Sequence, residues 1–216
     1  MLNRRAILCR AGAAGAWLLF VGCGKRAPRA RPVAAGAAVV ALGDSLTAGT
    51  GATPETSYPA RLAALTGWRI HNAGVPGDTS AQALERLPAL LQEHGPALVL
   101  VSIGGNDFLR RLPEAQTRAN VRRICELVLA AGAQVLLIAV PRPTLAAAFT
   151  GSLADHALYA QVADELQLPL QRQGWSEVLS DESLRSDSIH ANAGGYARFA
   201  QAVAATAVAT GLLERR

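Results

Sequence analysis

A chain of 216 residues falls within the size range of one ordinary domain and can bury a substantial apolar core. Half of its residues are hydrophobic and only 17% are charged, which excludes an intrinsically disordered chain and predicts a compact, helix-rich soluble protein. Without residues 1–22 the formal net charge falls from +5 to +2, since 18 of the 21 basic residues then face 16 acidic ones, so no nucleic-acid partner is expected.

The first 22 residues are typical of a signal peptide for export. Arg4 and Arg5 precede an apolar run that ends at Gly22 and is too short to span a bilayer. Leu-Phe-Val-Gly-Cys at positions 19–23 resembles a bacterial lipobox, in which the cysteine is acylated and becomes the first residue of the mature chain. A plain secretory signal with an incidental cysteine is the alternative. We therefore expect an exported lipoprotein, periplasmic or elsewhere in the cell envelope, attached to a membrane through Cys23.

Residues 23–37 consist mainly of Pro, Arg, Ala and Gly without periodicity, which predicts a flexible tether. Cys9 leaves with the signal peptide and Cys23 carries the lipid, so no intramolecular disulfide is available. Cys125 lies in an apolar helical pattern, which favours a small buried thiol over a nucleophile.

From residue 38 onward, short aliphatic runs alternate with helical patterns, as in parallel strands joined by right-handed crossovers. The pattern predicts one domain over 38–213, a three-layer α/β/α sandwich around a parallel sheet of about five strands, with the ligand site beyond the carboxyl ends of the strands. The predicted strands are 38–42, 69–72, 97–103, 133–140 and a short one near 168–170. The predicted helices are 58–65, 81–92, 116–131, 153–166 and 192–210.

The first predicted strand runs directly into Gly-Asp-Ser-Leu-Thr-Ala-Gly at positions 43–49. A tight turn there presents the Ser45 hydroxyl to a cleft, while the start of the following helix directs backbone N–H groups at developing negative charge. The same heptapeptide is compatible with a serine that merely caps a helix beside Asp44. It is not a Gly-x-Ser-x-Gly elbow, so the sequence does not favour an α/β-hydrolase.

Polar and glycine residues also follow the next two predicted strands. Gly77 lies in the turn after the second strand, where a glycine lets a backbone N–H approach a substrate, and Asp78 or Thr79 is expected to cap the next helix. Asn106 follows the third strand and can offer an amide donor to the same cleft. Each segment alone is more often a simple turn, so their shared position at one edge of the sheet is the informative feature.

A candidate base lies near the end of the chain. Asp187-Ser188-Ile189-His190 precedes the final helix, and this spacing lets one turn of chain hold the carboxylate against the imidazole. A helix-capping role is the alternative. His71, His94 and His156 lie in a strand pattern, at a helix end and on a polar helix face, so structural or solvent roles are expected and no metal site is predicted.

Four sequence blocks, taken in order, resemble those of the SGNH/GDSL hydrolase family. They are Gly-Asp-Ser-Leu, Gly77, Gly-Gly-Asn-Asp and Asp-x-x-His. The similarity covers nearly all of residues 38–212 and is strongest to the family's periplasmic thioesterases and lysophospholipases, through the segments 42–49, 72–80, 86–91 and 104–110. The resemblance implies a flavodoxin-like fold, with Ser45 as nucleophile, His190 as general acid and base, and Asp187 as its partner. It also implies an oxyanion hole formed by the N–H groups of Ser45 and Gly77 and the Asn106 side chain.

Two segments depart from the family pattern. Ala191 stands where a proline is usual, and residues 141–149 do not follow the loop that shapes the acyl pocket in relatives. We expect a monomeric serine esterase without a metal or cofactor, acting on small acyl esters, lysolipids or thioesters as an arylesterase, lysophospholipase or thioesterase. A carbohydrate O-acetylesterase and a non-catalytic lipid-anchored binding protein are the alternatives.

Overall fold

The computed structural model describes residues 30–142 and 152–215. Within them, five parallel strands form one sheet in the order β2-β1-β3-β4-β5. The strands are β1 Ala38–Gly43, β2 Arg69–Gly74, β3 Leu98–Ser102, β4 Gln134–Ile138 and β5 Leu170–Gln171. This order is that of the flavodoxin-like doubly wound fold, in which ligands bind outside the carboxyl ends of the strands.

Helices cover both faces of the sheet. The helices form two layers, one on each face. In one layer α2 and α7 pack against α8, and in the other α5 packs against α3 and α6. The helices are α1 Ser45–Ala48, α2 Tyr58–Thr66, α3 Ser80–His94, α4 Gly105–Leu109, α5 Glu114–Ala130, α6 Ala157–Leu166, α7 Gly174–Ser180 and α8 Ala193–Thr210, with short 3₁₀ turns at Pro54–Thr56 and Glu182–Leu184. The predicted three-layer α/β/α sandwich is therefore confirmed.

The core lies on both sides of the central strands. All five residues of β3 are buried, as expected for a parallel strand covered on both faces. On the α2 and α8 side the rings of Trp175 and Phe199 stack with centroids 3.5 Å apart, and Tyr58 packs edge-on against both. Cys125 is fully buried, as predicted, and burial raises the pKa of its thiol to about 12.

The structure differs from the sequence prediction at several element boundaries. The predicted helix 153–166 begins only at Ala157, because His156 caps it and its Nδ1 accepts the N–H of Leu158 at 3.2 Å. His156 thus precedes the helix instead of lying on its polar face. Helix α7 was not predicted, because seven residues show barely two turns of helical periodicity.

Residues 30–37, which the sequence assigns to the tether, instead pack against the domain. The N–H of Val33 donates to the Leu212 carbonyl at 2.8 Å, and the Val33 carbonyl accepts the Trp68 indole N–H at 3.0 Å. Val33 itself is 5% exposed, so burial of an apolar side chain holds this segment in place. The folded domain therefore starts by residue 30. The predicted signal peptide 1–22 and Cys23 lie outside the described residues.

Across the two described ranges, no helix is both long and apolar enough to cross a membrane.

Candidate active site

Ser45 is the first residue of α1, directly after the end of β1. The Asp44 side chain caps this short helix by accepting the Leu46 N–H at 3.1 Å. The close packing of α1 and β3 around the end of β1 requires glycine at position 43, because a β-carbon there would meet the Thr47 side chain and the Ser102 carbonyl oxygen. The turn predicted from Gly-Asp-Ser-Leu therefore exists, and it places Ser45 at the carboxyl edge of the sheet.

His190 and Asp187 lie beside Ser45, although 145 positions separate Ser45 from His190 in the chain. The Ser45 Oγ is 3.0 Å from His190 Nε2, and His190 Nδ1 is 2.7 Å from Asp187 Oδ2. Both distances fit hydrogen bonds between a hydroxyl, an imidazole and a carboxylate. The structure thus brings together the three side chains that the sequence singled out.

Asp187 is fixed by the turn that it starts. Its Oδ1 accepts the backbone N–H groups of Ile189 and His190, both at 2.8 Å, which leaves Oδ2 for the imidazole. Burial by itself raises the pKa of Asp187, but the hydrogen bonds from the His190 ring and the two N–H groups outweigh it and lower the pKa below its ordinary value. The carboxylate is therefore ionised at neutral pH and can stabilise an imidazolium.

Asn106, the second residue of α4, lies next to the loop after β2 that contains Gly77. Asn106 lines the same cavity as Ser45, and its Nδ2 donates to the Asp78 carbonyl at 3.0 Å and approaches Asp44 Oδ2 at 3.4 Å. Gly77 has a positive φ of 85° and precedes Asp78, but it does not line that cavity. Among the described residues, the N–H groups of Ser45 and Gly77 have no protein acceptor.

A buried polar network, which the sequence analysis did not identify, connects the loops of Gly77 and Asn106. The Asp107 carboxylate, 2% exposed, accepts the Ser80 N–H at 2.8 Å and the Ser80 hydroxyl at 2.6 Å. The Thr117 hydroxyl reaches the same carboxylate at 3.3 Å, and Asn120 donates to the Ser80 hydroxyl at 3.0 Å. Since Ser80 begins α3 and Asp107 lies in α4, this network fixes the two loops relative to each other.

Asp44 is a second buried carboxyl at the site. It is 4% exposed, and burial raises its pKa from 3.8 to about 6, against the opposing effects of the Leu46 N–H and the charge of His190. The nearby Asp107 carboxylate adds to the rise.

The cavity beside Ser45 has a volume of about 110 Å³. Six of the twelve side chains that line it are aliphatic, which suits the alkyl part of a ligand better than a sugar. They are Leu46, Leu109, Val140, Leu153, Leu179 and Ile189. The divergent segment 141–149 is described only to Arg142, so its effect on acyl-chain length stays a prediction.

The other three histidines lie away from Ser45. The rings of His71 and His94 stack with centroids 3.9 Å apart, at a groove lined by the first residues of β1 and β2. His156 stacks on Phe108 with centroids 4.4 Å apart. All three therefore have packing roles, as predicted.

Comparisons with known proteins find similar sequences. The profile of the GDSL-like lipase/acylhydrolase family matches residues 41–198. The chain is 38% identical over 164 residues to thioesterase 1/protease 1/lysophospholipase L1 of Escherichia coli K12, covering 74% of this chain and 77% of that protein. It is 32% identical over 160 residues to an arylesterase of Vibrio mimicus, covering 70% and 78%.

Solved structures show the same similarity. The crystal structure of TesA superposes with a TM-score of 0.70 at 30% identity and covers 80% of this chain and 99% of its own. AlinE4, an SGNH-hydrolase family esterase, superposes with a TM-score of 0.61 at 30% identity and covers 83% and 98%. The region matched by the family profile contains Ser45, Asp187 and His190.

Proposed function

The chain belongs to the GDSL-like lipase/acylhydrolase family and is a carboxylic ester hydrolase, and on that premise we propose that Ser45, His190 and Asp187 carry out a two-step acyl transfer. The observation that carries this proposal is the continuous hydrogen-bonded chain from Ser45 Oγ through both ring nitrogens of His190 to Asp187.

In the first step, Ser45 Oγ bonds to the substrate carbonyl carbon while His190 Nε2 takes the hydroxyl proton. Asp187 stabilises the resulting imidazolium through the 2.7 Å bond to Nδ1. His190 then gives this proton to the leaving alcohol, phenol or thiol as the carbonyl–leaving-group bond breaks. In the second step, water attacks the acyl-serine, His190 takes its proton, and Ser45 recovers a proton as the acid leaves.

The negative oxygen of each tetrahedral intermediate needs hydrogen-bond donors. We assign this role to the N–H groups of Ser45 and Gly77 and to Asn106 Nδ2. Ser45 is well placed, because it is the first residue of a helix and its N–H has no acceptor within the described chain. The 3.4 Å contact from Asn106 to Asp44 is long for a hydrogen bond, so an oxyanion can replace it.

The substrates proposed are aryl esters, lysophospholipids and acyl thioesters. The aliphatic cavity beside Ser45 supports an acyl chain over an acetylated sugar. The same activities appear in the names of the thioesterase and lysophospholipase of Escherichia coli and the arylesterase of Vibrio mimicus.

The experiment that tests the mechanism is hydrolysis of p-nitrophenyl esters from acetyl to palmitoyl. A chain that begins at Gly24 suits it, because every contact described above lies within residues 30–215. We expect Ser45→Ala to abolish hydrolysis and labelling by a fluorophosphonate. Ser188→Ala is the matched control, since Ser188 lines the cavity but lies outside the Ser45–His190–Asp187 chain of hydrogen bonds. Equal activity of wild type and Ser45→Ala would overturn the assignment.

Export and lipid attachment at Cys23 are proposed from the leader sequence. We expect the full chain, expressed in a Gram-negative bacterium, to incorporate labelled palmitate. Cys23→Ser should remove the label, whereas Cys125→Ser, which changes a buried thiol, should keep it. Incorporation that survives Cys23→Ser would exclude the lipobox interpretation.

A further inference from the structure

Exposed apolar side chains are concentrated at the catalytic edge of the sheet. Val75, Leu109, Leu112 and Ile189 are each between 40% and 46% exposed and lie in the loops around Ser45. Over the described residues, the other large aliphatic side chains exposed to this degree are Leu65 and Leu129, near the ends of α2 and α5 that precede β2 and β4, at the opposite edge. Single exposed aliphatic residues are common on protein surfaces, but four at one edge of the sheet require a reason.

Contacts connect the segments that carry these four side chains. Leu109, the last residue of α4, and Ile189, in the loop before α8, line the same cavity. Arg110 Nη2 donates to the Gly77 carbonyl at 2.8 Å, which holds the loop of Val75 against the segment that ends at Leu112. We call Val75, residues 109–112 and Ile189 the rim.

The rim carries positive charge that no described carboxylate neutralises. Arg110 and Arg111 lie between Leu109 and Leu112, and neither has an acidic partner within 4.0 Å in the described chain. Glu114, three residues after Arg111, is paired with Arg142, and Asp78, next to Gly77, is paired with Arg86.

Arg111 has an unusual backbone conformation for its residue type. Its φ is 56°, a left-handed conformation that strains a residue other than glycine. No hydrogen bond or ion pair of its guanidinium is found within the part of the chain that the structure describes. The Arg111 charge therefore remains open to solvent beside the apolar side chains of the rim.

We propose that the rim docks the domain on the surface of an anionic phospholipid bilayer, with the mouth of the catalytic cavity facing the lipid. The four apolar side chains enter the headgroup region, and the two arginines bind lipid phosphates. A second copy of the chain is a poorer partner for the rim, because a symmetric contact brings the same arginines together. The proposal goes beyond the hydrolytic function, since docking requires no ester cleavage.

The test measures cosedimentation of the chain beginning at Gly24, carrying Ser45→Ala, with vesicles of phosphatidylglycerol and phosphatidylcholine in equal parts. We expect Arg111→Gln to weaken binding about fivefold, since one arginine near an anionic surface contributes about that factor, and Leu112→Gln to weaken it as well. Leu129→Gln is the matched control for Leu112, because the two are 41% and 40% exposed. Arg61→Gln, on the exposed surface of α2, is the control for Arg111.

The same four variants, with Ser45 intact, should hydrolyse a water-soluble p-nitrophenyl ester at the wild-type rate, because none of the four positions lines the cavity. Selective loss of binding in the two rim variants supports the proposal. Absence of binding, equal binding of all variants, or equal binding to pure phosphatidylcholine would overturn it. Because the binding assay uses an inactive nucleophile variant, its failure leaves the hydrolytic mechanism untouched.

Discussion

Replacing the buried carboxylate of Asp44 with the amide of asparagine should stabilise the protein at neutral and alkaline pH. Asp44 is 4% exposed, and its pKa is raised from 3.8 to about 6, chiefly because burial disfavours the charged form. This difference corresponds to about 3 kcal/mol at about 1.4 kcal/mol per pKa unit. At pH 8 the wild type therefore carries the cost of a buried charge, and Asp44→Asn removes it.

The sign of the pH dependence follows from the raised pKa. Below the unfolded-state pKa of 3.8, Asp44 is neutral in both states, so the substitution changes the free energy of unfolding little. Between pH 3.8 and about 6 the unfolded chain has lost this proton but the folded protein still holds it, so the wild type loses stability that the variant keeps, and the loss is complete above about pH 6. The amide oxygen can still accept the Leu46 N–H, so the helix cap is retained.

The assay is urea unfolding of wild type and Asp44→Asn at pH 4, 6 and 8. The difference should be small at pH 4 and reach about 3 kcal/mol at pH 8. Asp107→Asn is the matched control, because that carboxylate accepts hydrogen bonds from Ser80 and Thr117. It should destabilise the protein by about 1.5–3 kcal/mol. A destabilised Asp44→Asn at pH 8, or a difference independent of pH, would refute the reasoning.

Three further substitutions test the site and its support. Asn106→Ala should fold normally but lose on the order of a hundredfold to a thousandfold in kcat, as expected for one oxyanion donor, and wild-type turnover would exclude that role. Asp187→Asn should lower kcat by about 10⁴-fold without unfolding the protein. The two backbone N–H groups hold the amide oxygen, so the amide nitrogen faces His190 and forces it into the wrong tautomer. An unchanged kcat would contradict this. Gly104→Ala should destabilise the fold by about 1–3 kcal/mol in urea unfolding, since its φ is 121° and a β-carbon would lie 2.6 Å from the Tyr159 hydroxyl. Gly105→Ala is its control, because the nearest atom lies at 3.4 Å, and equal losses at both positions would show that the close contact is irrelevant.

Sequence alone predicted that Ser45 and Asn106 lie at one edge of the sheet, because parallel strands end at one side of it. Ser45 and Asn106 follow β1 and β3, so their convergence follows once those two strands are recognised as neighbours. The Asp107–Ser80 contact was not predictable in this way, because it joins residues 27 positions apart through side chains with no periodic signature. The role of residues 30–37 was missed for a similar reason, since the burial of Val33 depends on Leu212 and Trp68, which are distant in sequence.

The turn that carries His190 and the rim differ in how firmly the rest of the fold holds them. This difference decides whether one can be changed without affecting the other. Asn192, at the start of α8, donates from Nδ2 to the carbonyls of Ser183 and Arg185 at 2.8 and 3.1 Å, and its Oδ1 accepts the Gly195 N–H. Both ends of the turn that carries His190 are thereby fixed to a long helix, as a catalytic base requires. Arg111 and Leu112, by contrast, project from an exposed turn after α4, and neither contributes to the cavity. Changes at these two rim positions can therefore alter where the enzyme works without altering the bond that it cleaves.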